Sequence, residues 1–294
     1  MFIPSVLALC DFFIKNFPDH FYWYPYWYLG NPFTYLIGPV VPILLFFLNH
    51  LSLPLFSSYI LLILVSFFMG AAGVYVLVQH LGGNKKESLT SIVVYLALPF
   101  YFVLMSVGSG LHHISIGFLP WAFILYVRMI GFSMHRRINL LTPLFLSIAI
   151  AFILLIDISI VLPLIIGFIC LAIAAKIERR RIEYILIKTF FILLLSLSLA
   201  TLWYTPGFWL TVLSNPSFGG MPLANLMSFL FQMVLNLLPI VAAVLVVKWR
   251  KVKLSRSALF GLLFFSSFLF LTLVRFISDP DFIMDWIGFL LELQ

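Results

Sequence analysis

The sequence predicts an all-α fold, a polytopic transmembrane helical bundle of about eight spanning helices plus an external juxtamembrane or re-entrant helix. Three observations lead there. First, 64% of the 294 residues are hydrophobic and only 9% are charged, too little polar surface to cover a water-soluble globule of this size. Second, the apolar stretches recur at lengths near the ~20 residues that a helix needs to cross ~30 Å of hydrocarbon. They are continuous rather than alternating, which excludes a barrel, the other structure that satisfies its backbone in lipid. Third, lysines and arginines fall in every second connection between them, the bias that orients helices in a bilayer.

In chain order, residues 1–54 read as an external aromatic loop followed by a juxtamembrane helix. Met1 to Cys10 lacks the basic start of a cleavable signal peptide, so insertion is expected to rely on the first spanning helix. Phe21 to Tyr28 is a belt of Phe, Tyr and Trp, the composition of a membrane interface. Phe33 to Asn49 is short for a span and carries Pro39 and Pro42, which remove helix donors. It is therefore expected to lie at the external face.

Residues 55–279 read as the bundle. The spanning candidates are Leu55 to Val78, Leu89 to Val107, Ile114 to Ile130, Leu141 to Ile156, Ile158 to Ala175, Ile185 to Tyr204, Leu223 to Val247 and Ala258 to Ile277. Leu141 to Ala175 must be two helices, because one helix of that length at ~1.5 Å per residue is roughly 52 Å long. The turn falls at Asp157, which is expected at the outer end of the hairpin, away from the hydrocarbon where a carboxylate costs ~2.5 to 3.5 kcal/mol. Gly82-Gly83 reads as a cytoplasmic turn. Residues 280–294 form an external amphipathic tail.

With this arrangement 15 of the 17 Lys and Arg residues are cytoplasmic, leaving Lys15 and Arg275 outside. The expected location is the cell membrane, multi-pass, with both termini external. The net charge of +7 is then topology signal rather than a nucleic-acid footprint. Cys10 and Cys170, one in an external segment and one deep in a helix, do not suggest a disulfide framework. No repeat of 20 to 50 residues marks an inverted-repeat transporter. Polar residues near mid-membrane are few, with Asp157, Gln232 and Asn236 the main ones.

Several residues invite a chemical role. Asp157 marks either a structural turn or a polar contact in a site. His112 and His113 stand at an external helix start, where one of them would bind a phosphate or metal, although adjacent positions face different ways; a solvated helix start is the alternative. Arg275 either holds a lipid phosphate through its planar fork or pairs locally with Asp279. The aromatic cluster, including Trp23 and Trp27 and flanked by His20 and Asn31, serves either as an interfacial belt or as a platform on which a sugar stacks.

Asp11 to Pro42 (DFFIKNFPDHFYWYPYWYLGNPFTYLIGPVVP) is the most distinctive stretch. It joins an early acid, Pro18-Asp19-His20, Trp23-x-Pro25-x-Trp27 and Gly30-Asn31-Pro32. Downstream come Tyr75 to Gly83, Ala97 to Phe100, His112 to Pro120 and Ala200 to Pro206. This arrangement resembles the GT-C-fold integral membrane glycosyltransferases, in particular the prokaryotic 6-pyruvoyl-tetrahydropterin-synthase-related membrane proteins. The resemblance spans roughly Asp11 to Pro206. It departs from the family in that ten residues, not a complete spanning helix, precede Asp11, and in total length, so it implies a minimal member, a split-gene fragment or a degenerate relative lacking full activity.

The resemblance implies transfer of a sugar from a polyprenyl-phosphate donor on the external face. It implies Asp11, with Asp19 as second choice, as catalytic base or as holder of a divalent cation, Mg or Mn. His20, Trp23, Trp27, Asn31, His112, His113 and Arg275 would line the substrate site. The partners implied are the lipid bilayer, a lipid-linked sugar and a second membrane subunit. Asp11 to Pro32 is then expected to fold back beside Pro206 to Pro222 and wall an outward pocket containing Asp11. A non-catalytic subunit and, third, a transporter are the competing functions.

Overall fold

A computed structural model of the protein describes residues 3–26, 30–97, 110–131, 141–175, 179–214, 241–242, 245 and 254–278. The described chain is all-α apart from a pair of two-residue strands. Its helices are α1 (Ile3–Asn16), α2 (Phe33–Leu36), α3 (Val40–His50), α4 (Leu55–His80), α5 (Lys85–Ala97), α6 (Gly110–Gly131), α7 (Leu141–Ile156), α8 (Val161–Ala174), α9 (Arg179–Ala200), α10 (Pro206–Ser214) and α11 (Arg256–Ser278). A 3-10 turn, Ile158–Ile160, joins α7 to α8. Two of these helices, Leu55–His80 and Gly110–Ile130, are long and apolar enough to cross a membrane by length and composition. Val40–His50, Leu141–Ile156, Ile158–Ala174, Tyr184–Ala200 and Arg256–Phe270 are shorter apolar helices. The expected span 223–247 lies outside the described residues except for Val241, Ala242 and Leu245.

The N-terminal region differs from the expected loop. Asp11 belongs to α1, whose buried face is Val6, Leu9, Cys10 and Phe13, and this face packs with Val41 and Leu45 of α3 and Ile63 of α4. The apolar spacing i, i+3, i+4, i+7 of those four residues is that of a helix stripe. Beyond α1 the strands pair antiparallel, Trp23 with Pro32 and Tyr24 with Asn31. The expected helix Phe33 to Asn49 is divided at Ile37-Gly38-Pro39. Pro39 caps α3 and Pro42 stands in its first turn, where no intrahelical donor is lost. The prolines therefore start this helix instead of kinking it, as Pro143 and Pro163 do in the first turns of α7 and α8.

α4 and α6 run parallel at close range. Trp121 Nε1 donates to the Met69 carbonyl at 3.0 Å. Near the pair's centre a Cβ on Gly117 would collide with the Ser66 backbone, so only glycine lets these two helices approach so closely. α7 runs antiparallel to α6, with Phe118 edge-on to Phe152 at 5.3 Å. α8 packs Phe168 flat on Tyr126 at 4.1 Å. α9 joins through Tyr126 and Thr189, whose hydroxyls are 3.2 Å apart, and α11 lays Phe260 and Phe264 against Phe123. Cys10 and Cys170 are free and buried in different clusters.

The bundle has two chemically distinct ends. At one, His80 Nδ1 donates to the Val76 carbonyl at 2.9 Å and Arg128 Nε donates to His80 Nε2 at 3.1 Å, joining α4 to α6. Beside them Asn84 and Glu87 exchange backbone-to-side-chain bonds of 2.8 and 3.1 Å, a capping box that starts α5 at Lys85. Lys85, Lys86 and Arg256 share this basic end. The opposite, aromatic end holds the strand pair and the turns that follow α7 and α9. Between them the helix exteriors expose large apolar side chains, for example Phe68 at 61% and Phe190 at 62%.

Candidate functional site

The aromatic end is assembled by segments far apart in sequence. α6 brings His112 in its first turn, and the α7–α8 junction brings Asp157 and Ser159. Asp157 adopts an extended conformation that ends α7 and caps the following turn, with Oδ1 accepting from Ser159 N at 3.0 Å. Its Oδ2 accepts from Ser159 Oγ at 2.7 Å. His112 Nδ1 is 3.0 Å from both Asp157 Oδ2 and Ser159 Oγ. Since the serine proton is given to the carboxylate, the proton on this histidine is assigned to Nδ1, where it is shared between the two oxygens. That places the proton-accepting lone pair of a neutral His112 at Nε2.

Burial alone would raise the Asp157 carboxyl pKa, but the His112 hydrogen bond and charge, with the two Ser159 bonds, outweigh it and hold the carboxyl below its ordinary value. The cluster is nearly enclosed, with side-chain exposures of 7% for His112 and 17% for Asp157. Both readings of Asp157 therefore meet in one residue, a turn cap that also makes a long-range polar contact. Neither histidine is at a solvated helix start: His112 and His113 are both buried, which corrects that alternative.

A second layer closes over the cluster. Tyr204 OH donates to the Leu154 carbonyl at 3.3 Å, and Trp203 Nε1 donates to the Ile37 carbonyl at 3.0 Å. Phe21 stacks on Trp203 with centroids 6.1 Å apart and ring planes 10° from parallel, and Tyr35 meets Phe208 edge-on. A Cβ on Gly38 would strike the Leu155 carbonyl and the Tyr204 hydroxyl, so this glycine lets the N-terminal segment settle directly on the end of α7. The N-terminal segment thus docks against the corner between α9 and α10 through Phe21, Phe33, Tyr35 and Ile37, whereas the expected contact joined Asp11 to Pro32 with Pro206 to Pro222. Residues 215–222 of the expected neighbouring loop lie outside the described residues.

The residues assigned through the resemblance are more scattered. Asp11 is half exposed on α1, and its Oδ2 accepts from Lys15 Nζ at 2.7 Å. Asp19 and His20 are exposed in the turn after α1. Trp23 is exposed at 53%, whereas Tyr24 beside it is buried. Asn31 is half-buried in the second strand. Trp27 and the Arg275–Asp279 pairing lie outside the described residues, although Arg275 itself falls within α11. Among the described residues no three His, Cys, Asp or Glu side chains gather as metal ligands.

Sequence reading named His112 and Asp157 separately and missed Ser159, Trp203 and Tyr204 as their companions. The available signal was that all five fall at expected outer ends of helices. No family model, no curated protein and no solved structure matches this chain.

Proposed function

We propose that the chain is a multi-pass membrane protein with eight spans and both termini outside, and that its aromatic end transfers a sugar from a polyprenyl-phosphate donor. The membrane part is supported by helices that expose Phe, Leu and Val to their surroundings along most of their length; in water such a surface would aggregate. The basic residues at one end and the aromatic segment at the other support the orientation. Labelling from outside with a membrane-impermeant thiol reagent tests it: Thr205→Cys should react and Lys85→Cys should not, in a background lacking Cys10 and Cys170. The reverse pattern overturns the topology.

The observation that carries the transfer reading is the His112–Asp157–Ser159 cluster. A carboxylate on one imidazole nitrogen orients the ring and stabilises its charged form, the arrangement in which an imidazole serves as general base toward an acceptor hydroxyl. Asp157 positions and His112 accepts. In this reading the base at the aromatic end is His112, not the Asp11 that the resemblance nominates, because Asp11 is engaged by Lys15. Membranes containing the full chain, supplied with radiolabelled polyprenyl-phosphate sugars, test it. His112→Ala should lower transfer roughly a hundred-fold or more, the range for loss of a general base, while Asp11→Asn leaves it unchanged. Loss in Asp11→Asn alone would return the role to that residue.

A second reading, a non-catalytic membrane subunit, is favoured by the Asp11–Lys15 pair and by the near-complete burial of the cluster. It predicts no transfer by the wild type with any donor and co-purification with a larger membrane partner.

A further inference from the structure

The basic end carries a cavity unrelated to the His112 cluster. It has a volume of about 680 Å³ and lies between α4, α5, α6 and α11. Its inner wall is apolar, with Leu77 and Val78 of α4, Leu119 and Phe123 of α6, and Phe264 of α11. Its mouth is polar: Lys86, Thr90 and Ser91 of α5 face Ser255 and Ser257 at the start of α11. We infer that this groove is a binding site for an anionic phospholipid of the cytoplasmic leaflet, with the phosphate at Lys86 and the serine hydroxyls and one acyl chain along the Leu77–Phe123–Phe264 wall. The inference rests on the membrane orientation proposed above but not on the transferase reading.

Three features select that occupant. The first is depth. From Lys86 to Tyr95, the residues of α5 that bound the groove, the helix rises ~13 Å. Half of a ~30 Å hydrocarbon core is ~15 Å, so the groove matches one leaflet and suits a tail entering from that side rather than a molecule crossing the bilayer. The second is charge. At this end the described cations include Lys85, Lys86, Arg128, Lys188 and Arg256, of which Lys86 lines the groove, and Glu87 is the described acid at the mouth. Glu87 is itself turned to the Asn84 amide in the capping box. A basic pocket between spanning helices at the cytoplasmic side is suited to an anionic headgroup. The third is chemistry: the hydroxyls of Thr90, Ser255 and Ser257 can donate to phosphate oxygens, while the inner wall, the Tyr95 hydroxyl apart, offers a tail methyl groups and rings. The volume falls within the range of cavities that enclose small ligands.

Native mass spectrometry of the detergent-purified full chain tests this, with phosphatidylglycerol, phosphatidylcholine and undecaprenyl phosphate added in turn. Phosphatidylglycerol should be retained preferentially over phosphatidylcholine, and Lys86→Ala should reduce that preference about five-fold, the value of one basic residue at a membrane surface. Val78→Trp, which fills the groove without altering charge, should abolish retention while circular dichroism and monodispersity stay unchanged. Equal retention of both phospholipids overturns the inference. So does unchanged retention in Val78→Trp, or tighter binding of undecaprenyl phosphate, which would make the groove a carrier site. A photoreactive residue at Val78 that cross-links to the chain's own 223–247 segment instead of to lipid overturns it as well. Thiol labelling reports the orientation separately, so a failure of topology and a failure of lipid binding give different results.

Discussion

His112 Nδ1 and Asp157 Oδ2 are 3.0 Å apart across 45 residues of sequence, and through them α6 is tied to the hairpin of α7 and α8. Because both side chains are largely buried, removing Asp157 takes a charged acceptor away from a buried imidazole. Asp157→Ala is expected to destabilise the protein by about 1–3 kcal/mol, measured as a lower midpoint in thermal or SDS unfolding from detergent micelles. Asp157→Asn, which keeps the turn cap, should lose less. An unchanged midpoint in Asp157→Ala would show that the link adds nothing to folding.

The same pair has a pH signature. Asp157 is held below its ordinary carboxyl pKa in the folded protein, so it contributes stability that is complete above the ordinary carboxylate value and is lost as pH falls through the lowered one. On the acid side of the ordinary carboxylate range the wild type should therefore lose stability relative to Asp157→Asn. Parallel unfolding midpoints from neutral pH down to pH about 3 would contradict this.

Gly117 is the point at which α6 meets the Ser66 backbone of α4. Gly117→Val places two methyl groups where backbone already stands, and overpacking of this kind costs typically about 1–3 kcal/mol. Gly261, whose Cβ would meet nothing, is the control on α11, where the same substitution should be close to neutral. Equal loss in both variants would show that helix propensity, not the α4–α6 approach, is being measured.

Trp203→Phe removes the indole bond to the Ile37 carbonyl and keeps most of the stacking on Phe21 and Phe33. The loss should be about 1 kcal/mol and should appear locally, as faster proteolysis between residues 17 and 38 with the unfolding midpoint of the remaining bundle little changed. Proteolysis at the wild-type rate would mean that the aromatic contacts alone hold the segment.

Much of the architecture is legible in the sequence because it follows from short-range rules. The turn at Asp157 is forced by run length, and Gly82-Gly83 forms the expected turn, with Gly82 at φ +84°. The helical state of Asp11 was obscured by the reading of its neighbourhood as an aromatic loop, although Val6, Leu9, Cys10 and Phe13 carry the helix spacing. The prolines at 39 and 42 misled for a different reason: a proline opposes a helix in its interior but suits the first turn, and only the boundary decides which applies. The His112–Asp157–Ser159 cluster was beyond the sequence because it depends on which helix end faces which, a relation set by packing between segments that no local spacing encodes.

α6 is fastened at both extremities, to α4 through Arg128 and His80 and to the α7–α8 hairpin through His112. Between these anchors stands Pro120, whose ring nitrogen has no proton to give to the Ile116 carbonyl. A rod held at its two tips and weakened in its middle yields at the middle. Among the described residues of α6, the missing backbone bond lies at Pro120, packed beside Gly73 and Trp121, so a displacement of the basic end relative to the aromatic end meets the least backbone resistance there.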